Sequence, residues 1–141
     1  MSERSIERFA FRLVRMHRSR LYGIFIDTPV DEAPGAAAFW SAALGAPGRV
    51  DAGEEQFTML TGALPKLVAG VQAVDDTARY HVDIETDDVD AEVARLLALG
   101  AVRVSRWLDC HVLRAPGGHL LCVVPIHSEP DFFAANARTW N

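Results

Sequence analysis

The chain has 141 residues, half of them hydrophobic and 23% charged, which is the balance of a single domain with one core. Its net charge is −5, yet residues 1–20 alone carry six arginines and two glutamates, so the rest is strongly acidic and disfavours nucleic acid as its partner. No apolar run reaches the roughly 20 residues of a membrane helix, and with no secretory pattern and only two cysteines we expect a cytoplasmic protein with reduced thiols.

The first 20 residues are predicted to form an N-terminal helical arm. Between residues 3 and 16, Ile6, Phe9 and Leu13 recur at helical spacing, and arginines line another face. Such a helix suits a membrane surface or nucleic acid. It equally suits packing on the domain or on a second subunit. The apolar face is short and modest, so we favour the packing arm.

Residues 21 to about 73 have the pattern of a strand, a helix and three strands. The strand Leu21–Thr28 precedes a helix with Pro34 in its first turn and Gly45 after its last. Short β-type runs follow at Arg49–Asp51, Gln56–Leu60 and Lys66–Gln72.

Residues 79–126 repeat that order. The strand Arg79–Thr86 leads into a helix that Asp87 or Asp88 can cap and that ends near Gly100. The remaining predicted strands are Ala101–Ser105, Cys110–Arg114 and His119–Pro125, the last two joined by the turn Ala115-Pro116-Gly117-Gly118.

The two halves echo each other in sequence. Gly23–Thr28 is answered by His81–Thr86, and Leu44-Gly45-Ala46 by Leu99-Gly100-Ala101. We therefore predict an α+β fold in which two βαβββ modules, at about 21–73 and 79–126, form curved mixed sheets around a groove.

The tail, residues 127–141, holds Phe132, Phe133 and Trp140. These aromatic residues suit an interface core, and the basic arm complements the acidic body, so we expect a homodimer. In the competing interpretation, arm and tail both fold back on their own domain, the tail as a short helix.

The stretch His81–Glu92, followed by Leu99-Gly100-Ala101 and by Ala115–Pro125, resembles a glyoxalase-like domain of the vicinal oxygen chelate superfamily. That superfamily also includes glyoxalase I, bleomycin-resistance proteins and extradiol dioxygenases. The resemblance covers residues 21–126 and implies a small-molecule ligand. The implied function is an enzyme of the lyase, isomerase or oxygenase type, and the alternative is a non-catalytic binding or sequestration protein like the resistance members.

The resemblance also implies where a metal would bind. In metal-dependent members, each module offers one ligand from its first strand and one from its last. Those places fall near Gly23 and Ala69 in the first half, and at His81 and Cys122 in the second. Gly23 and Ala69 have no ligating side chain, so we expect no complete metal site and no cofactor. A divalent metal held through His81 remains the alternative.

Strand periodicity places the candidate site residues together. His81, Asp83 and Glu85 share one face of their strand. A hairpin turn centred on Pro116-Gly117 would place His111 opposite Cys122. The predicted catalytic residues are His81, Asp83 and Cys122, and the predicted substrate-binding residues are Phe25, His111, Trp107 and Leu113.

Other interpretations of these residues stay open. Cys122 could bind a soft metal or pair as a thiolate with a histidine, but a small buried hydrophobic residue is the interpretation we favour. Asp83 and Glu85 are candidate general bases if the groove buries them, although Glu85, near the strand end, fits a solvated face better. Trp107 either covers the groove or packs as an ordinary core aromatic.

Overall fold

The structure is a computed structural model that describes residues 16–141. The predicted arm helix therefore lies outside the described residues, except for Met16. The first strand begins at His17, four residues before the predicted Leu21. The expected boundary between arm and domain at residue 20 thus falls inside this strand.

The described chain contains nine strands and three α-helices, which confirms the α+β class. The strands are β1 (His17–Pro29), β2 (Gly48–Asp51), β3 (Glu54–Leu60), β4 (Val68–Val74), β5 (Arg79–Thr86), β6 (Val102–Trp107), β7 (Cys110–Arg114), β8 (Leu120–Pro125) and β9 (Arg138–Trp140). The helices are α1 (Ala33–Leu44), α2 (Val89–Ala98) and α3 (Pro130–Asn136), with a 3-10 turn at Val30–Glu32. None of these helices combines the length and the apolarity that crossing a bilayer requires.

All the strands join one mixed sheet, and eight of them follow the order β2-β3-β4-β1-β5-β8-β7-β6. The order strand, helix, three strands occurs in β1–β4 and again in β5–β8. β1 pairs in parallel with β4, β5 pairs in parallel with β8, and the two halves meet where β1 and β5 pair antiparallel. This central pairing sets Gly23 opposite Asp83 and Phe25 opposite His81.

One face of the sheet carries α1, α2 and both hydrophobic clusters. The first cluster packs Trp40 of α1 on buried residues that include Leu60 and Val71. The second packs α2 on β7 and β8 through Val93, Leu113 and Val123. Since side chains alternate along a strand, the intervening residues of the central strands project from the opposite face.

The hairpin between β7 and β8 differs from the predicted register by one residue. His111 lies opposite Val123, and Cys122 lies opposite Val112. The reason is the loop. Ala115 pairs with His119, so the loop has three residues, and Gly117 and Gly118 both take positive φ. A glycine-rich three-residue loop replaces the expected two-residue turn.

The tail folds back onto β1 of its own chain. β9 pairs antiparallel with His17–Ser19, and the indole Nε1 of Trp140 donates to Ser19 Oγ at 2.8 Å. Phe133 of α3 is only 4% exposed. The predicted short helix is therefore present, and the tail packs on its own chain, as the intramolecular interpretation expects.

Close packing at Gly23 gives a first prediction. A Cβ there would meet Val68 Cγ2 at 2.4 Å and the Val68 carbonyl oxygen at 2.8 Å. We expect Gly23→Ala to lower the free energy of unfolding by about 1–3 kcal/mol, measured by urea denaturation. Gly35→Ala is the matched control, because nothing lies within 4 Å of its added Cβ and the helix gains about 1 kcal/mol. Equal stability of the two variants would contradict the prediction.

Candidate active site

The sheet face opposite α1 and α2 forms a groove with two adjoining cavities. The larger has a volume of about 610 Å³ and the smaller about 470 Å³. Both are bordered by Phe57 and Asp83. The larger cavity is lined by apolar side chains such as Val112 and Leu120, and by a small number of charged groups. A mostly apolar concavity with convergent polar groups is typical of a small-molecule site.

His81 lies in this groove between two carboxylates. Its Nδ1 is 2.7 and 2.8 Å from the two carboxylate oxygens of Asp27, and its Nε2 is 3.3 Å from Asp83 Oδ1. Burial alone would lower the His81 pKa, but the interactions with Asp27 and Asp83 outweigh it and raise the pKa to about 9. His81 is therefore an imidazolium at neutral pH. Phe25 stacks on its ring with centroids 5.2 Å apart.

Asp27 belongs to the candidate site, and the sequence reasoning missed it. It is buried in β1, where it binds His81 and accepts a hydrogen bond from Arg79 Nε at 3.1 Å. The signal was present in the strand pattern. Asp27 shares the alternating face of Gly23 and Phe25, so a carboxylate stood at a groove-facing position of an otherwise apolar strand.

Both cysteines line the larger cavity. Contact with Cys110, burial and the nearby Asp83 carboxylate raise the pKa of the Cys122 thiol. A neutral thiol disfavours the thiolate–imidazole pair. It agrees with the interpretation of Cys122 as a small, partly buried hydrophobic residue.

The structure brings only some of the predicted substrate-binding residues to the groove. Phe25 forms part of its wall, and Trp107, the last residue of β6, stands at the rim with 66% of its surface exposed. His111 and Leu113 do not join them. The shifted hairpin register turns both toward the helices, where Leu113 packs on Val93. Their predicted placement opposite Cys122 and Leu120 is therefore wrong.

The prediction that Glu85 lies on a solvated face is also wrong. Its side chain is fully buried and pairs with Arg20 Nη1 at 2.6 Å. It also accepts hydrogen bonds from the backbone N–H groups of His127 and Ser128 and from the Ser128 hydroxyl. Burial alone would raise the Glu85 pKa, but these hydrogen bonds outweigh it and hold the pKa below its usual value. Glu85 thus anchors the start of the tail.

Three donors of the second half lie close enough to suggest a metal. His81, Asp83 and Cys122 each offer an atom within 4.8 Å of the others. One imidazole, one carboxylate and one thiol do not match the oxygen-rich octahedral site that the resemblance implies. The Nδ1 atom of His81 is also already bound by Asp27.

The first half adds no ligand to this set. Gly23 faces the groove without a donor atom. Cys122 of β8 pairs with Asp83 of β5, and in the first half Gly70 of β4 pairs with Phe25 of β1. The first-half position equivalent to Cys122 is therefore Gly70 rather than Ala69. Ala69 instead packs in the helix-side core. The expected ligand position was thus misplaced by one residue, and its corrected occupant carries no donor either.

Two strand–helix–three-strand runs in one sheet, with a mostly apolar groove on one face, define the class of α+β protein to which this chain belongs. Residues 23–124 match the Glyoxalase-like domain family, and the chain belongs to this family. Among curated proteins, no sequence matches the chain at a significant level.

Solved structures share the fold at low sequence identity. A variant of Streptomyces coelicolor methylmalonyl-CoA epimerase in complex with 2-nitronate-propionyl-CoA is 18% identical, with a TM-score of 0.54 over 77% of this chain and 98% of that one. A hypothetical protein from Bacillus halodurans C-125 is 10% identical, with a TM-score of 0.55 over 79% and 96% of the two chains. A Legionella pneumophila protein described as an NAD-dependent benzaldehyde dehydrogenase is 13% identical, with a TM-score of 0.54 over 73% and 98%. At these identities the likeness shows the fold alone.

Proposed function

We propose that this protein binds an amphipathic small molecule bearing a hydrogen-bond donor or a positive charge, and that Asp27, His81 and Asp83 form the polar centre that orients it. The observation that carries the proposal is the position of His81 between two carboxylates in a cavity of about 610 Å³. Cavities of this size hold small organic ligands.

The charges around the larger cavity favour a donor-bearing ligand. Its carboxylates are Asp27, Glu54, Asp83 and Asp109, and its cations are Arg79 and the protonated His81. Asp83 Oδ1 is buried and lies near His81 Nε2 without a well-aligned hydrogen bond. Because an unsatisfied buried acceptor costs free energy, a ligand N–H or O–H donated to Asp83 would stabilise the complex.

The same centre suits proton transfer. Asp83 can accept a proton from a bound ligand, while the imidazolium of His81 can donate one, and Asp27 holds that imidazolium in place. This arrangement supports chemistry of the isomerase or lyase type. The structural neighbours solved with a coenzyme A ester add support for a small-molecule ligand, but not for a particular substrate.

A non-catalytic binding protein is the second candidate. Asp27 binds His81 Nδ1, Asp83 lies 3.3 Å from its Nε2, and the raised pKa of Cys122 keeps its thiol neutral. These features favour ligand binding without a strong nucleophile. A protein that binds and sequesters its ligand therefore remains the alternative to an enzyme.

Three wider predictions remain proposals. The runs β1–β4 and β5–β8 are proposed to be equivalent βαβββ modules around the shared groove, and their central antiparallel pairing supports this. A homodimer is proposed on the basic arm alone, since the tail aromatics pack within the chain. A cytoplasmic location is proposed on the two free cysteines.

Matched probes test the proposed ligand class. Phenethylamine should bind more tightly than the equally sized alcohol, and 3-phenylpropionate should bind least, by isothermal titration calorimetry. Asp83→Asn should weaken the amine by about tenfold, because a charge-assisted hydrogen bond is lost. Asp131→Asn, on the exposed side of α3, is the control and should leave affinity unchanged. Preferential binding of the carboxylate would contradict the proposal.

A second measurement separates the enzyme from the binding protein. Ligands that copurify with the protein are identified by native mass spectrometry and incubated with it in D₂O. Deuterium uptake that Asp83→Asn abolishes supports proton transfer. Binding without uptake, unchanged in His81→Ala, supports sequestration.

A further inference from the structure

A third cavity lies between β1, α2 and the tail, and none of its lining residues borders the groove. Its volume is about 350 Å³, and it is open to solvent on one side. Leu21, Ile84 and Trp140 supply its apolar walls. We name it the tail cavity.

The tail cavity is strongly basic in an acidic protein. Arg20 of β1, Lys66 of the turn before β4, Arg95 of α2 and Arg138 of β9 all line it, against a single carboxylate, Glu92. Arg20 is neutralised by Glu85, and Arg95 by Glu92. Lys66 and Arg138 form no ion pair with any described residue, so within the described part of the chain two cations that line this cavity have no carboxylate partner.

Lys66 is held at the cavity by its backbone. It takes a φ of 61°, a left-handed conformation that is uncommon for a residue with a side chain. Arg20 Nη2 donates to the Lys66 carbonyl oxygen and fixes this conformation. Such local strain is typical of functional sites.

An aromatic wall stands beside the cations. The Arg95 guanidinium lies 3.9 Å from the centroid of the Trp140 ring, and the Trp140 indole is fixed by Ser19. The cavity therefore offers positive charge next to a flat apolar surface. Its occupant should combine an oxyanion with a small apolar body.

We propose that the tail cavity binds a small organic phosphate monoester, with Lys66 and Arg138 pairing with the phosphate and Trp140 packing on the organic part. Two uncompensated cations match the double negative charge of a phosphate monoester better than the single charge of a carboxylate. This site is independent of the groove and of the function proposed for it.

Phenyl phosphate is the test probe, with inorganic phosphate and phenol as its two halves. On the full-length protein, phenyl phosphate should bind more tightly than either half by calorimetry, and more weakly as salt is raised. It should shift the NMR signal of the Trp140 indole N–H, assigned with Trp140→Phe, while leaving that of Trp107 in place.

Charge removal at two exposed positions completes the test. The double variant Lys66→Gln, Arg138→Gln should lose about tenfold in affinity, as expected for two partly exposed ion pairs. Arg49→Gln, which removes a cation from the groove instead, should bind as the native protein does. The proposal is overturned if phenyl phosphate leaves the Trp140 signal unmoved, binds the double variant equally well, or is lost in Arg49→Gln.

Discussion

Replacing Glu85 with alanine is expected to lower the free energy of unfolding by about 3–5 kcal/mol, because it leaves a buried guanidinium without its partner. The side chains of Glu85 and Arg20 are 0% and 7% exposed, and their ion pair measures 2.6 Å. The same substitution removes the acceptor for Ser128 and for the backbone N–H of His127. Urea denaturation should show a lower midpoint at an unchanged slope.

Two further variants test whether the loss of stability is specific to the buried carboxylate of Glu85. Glu85→Gln keeps the shape and one carbonyl oxygen, so it should lose less stability than the alanine variant while remaining folded enough to measure. Glu55→Ala, on an exposed position of β3, should change stability by no more than about 0.5 kcal/mol. If Glu85→Ala loses no more than Glu55→Ala, the ion pair does not anchor the tail.

The direction in which the Glu85 pKa is shifted determines how the stability of the protein depends on pH. The Glu85 pKa is lower in the folded protein than in the unfolded chain. Its contribution is therefore present at neutral pH and is lost as the pH falls through the folded pKa. In Glu85→Ala the acid-side loss of stability should be smaller than in the native protein.

Local sequence signals predicted the strands that apolar alternation and turn residues mark at both ends. The bounds of β5 and β7 match the predicted Arg79–Thr86 and Cys110–Arg114, because apolar alternation and glycine-rich turns mark both strands. The early start of β1 was not predictable in this way. Residues 17–19 become a strand by pairing with β9, which lies more than 100 residues later.

In the candidate site, too, local sequence patterns predicted some features, and contacts between distant residues determine the others. His81 and Asp83 were placed on one face because side chains two positions apart project from the same face of a strand, which needs no long-range information. The loop at Pro116–Gly118 is one residue longer than expected, and a one-residue slip turns every side chain of the strand to the other face. His111 was lost from the predicted site for that reason. The burial of Glu85 depends on Arg20 and Ser128, 65 and 43 residues away.

Asp27→Asn is expected to lower the pKa of His81 by at least about one unit, toward the 6.5 of an ordinary histidine. In the native protein two carboxylates hold that pKa at about 9, against the effect of burial. The measurement is an NMR titration of the His81 ring protons between pH 5 and 10. Asp31→Asn, on the exposed 3-10 turn, is the control and should leave the midpoint in place.

Titration of His81 should lower the stability of the protein at alkaline pH, whereas titration of Glu85 lowers it at acid pH. The folded pKa of His81 is raised above its unfolded value, so its contribution is fully present below pH 6.5 and is lost as the pH rises through about 9. The shift corresponds to about 3 kcal/mol. Asp27→Asn should make this alkaline-side loss of stability smaller. A native titration midpoint near 6.5, or one that Asp27→Asn does not move, would show that His81 is not the imidazolium on which the proposed polar centre depends.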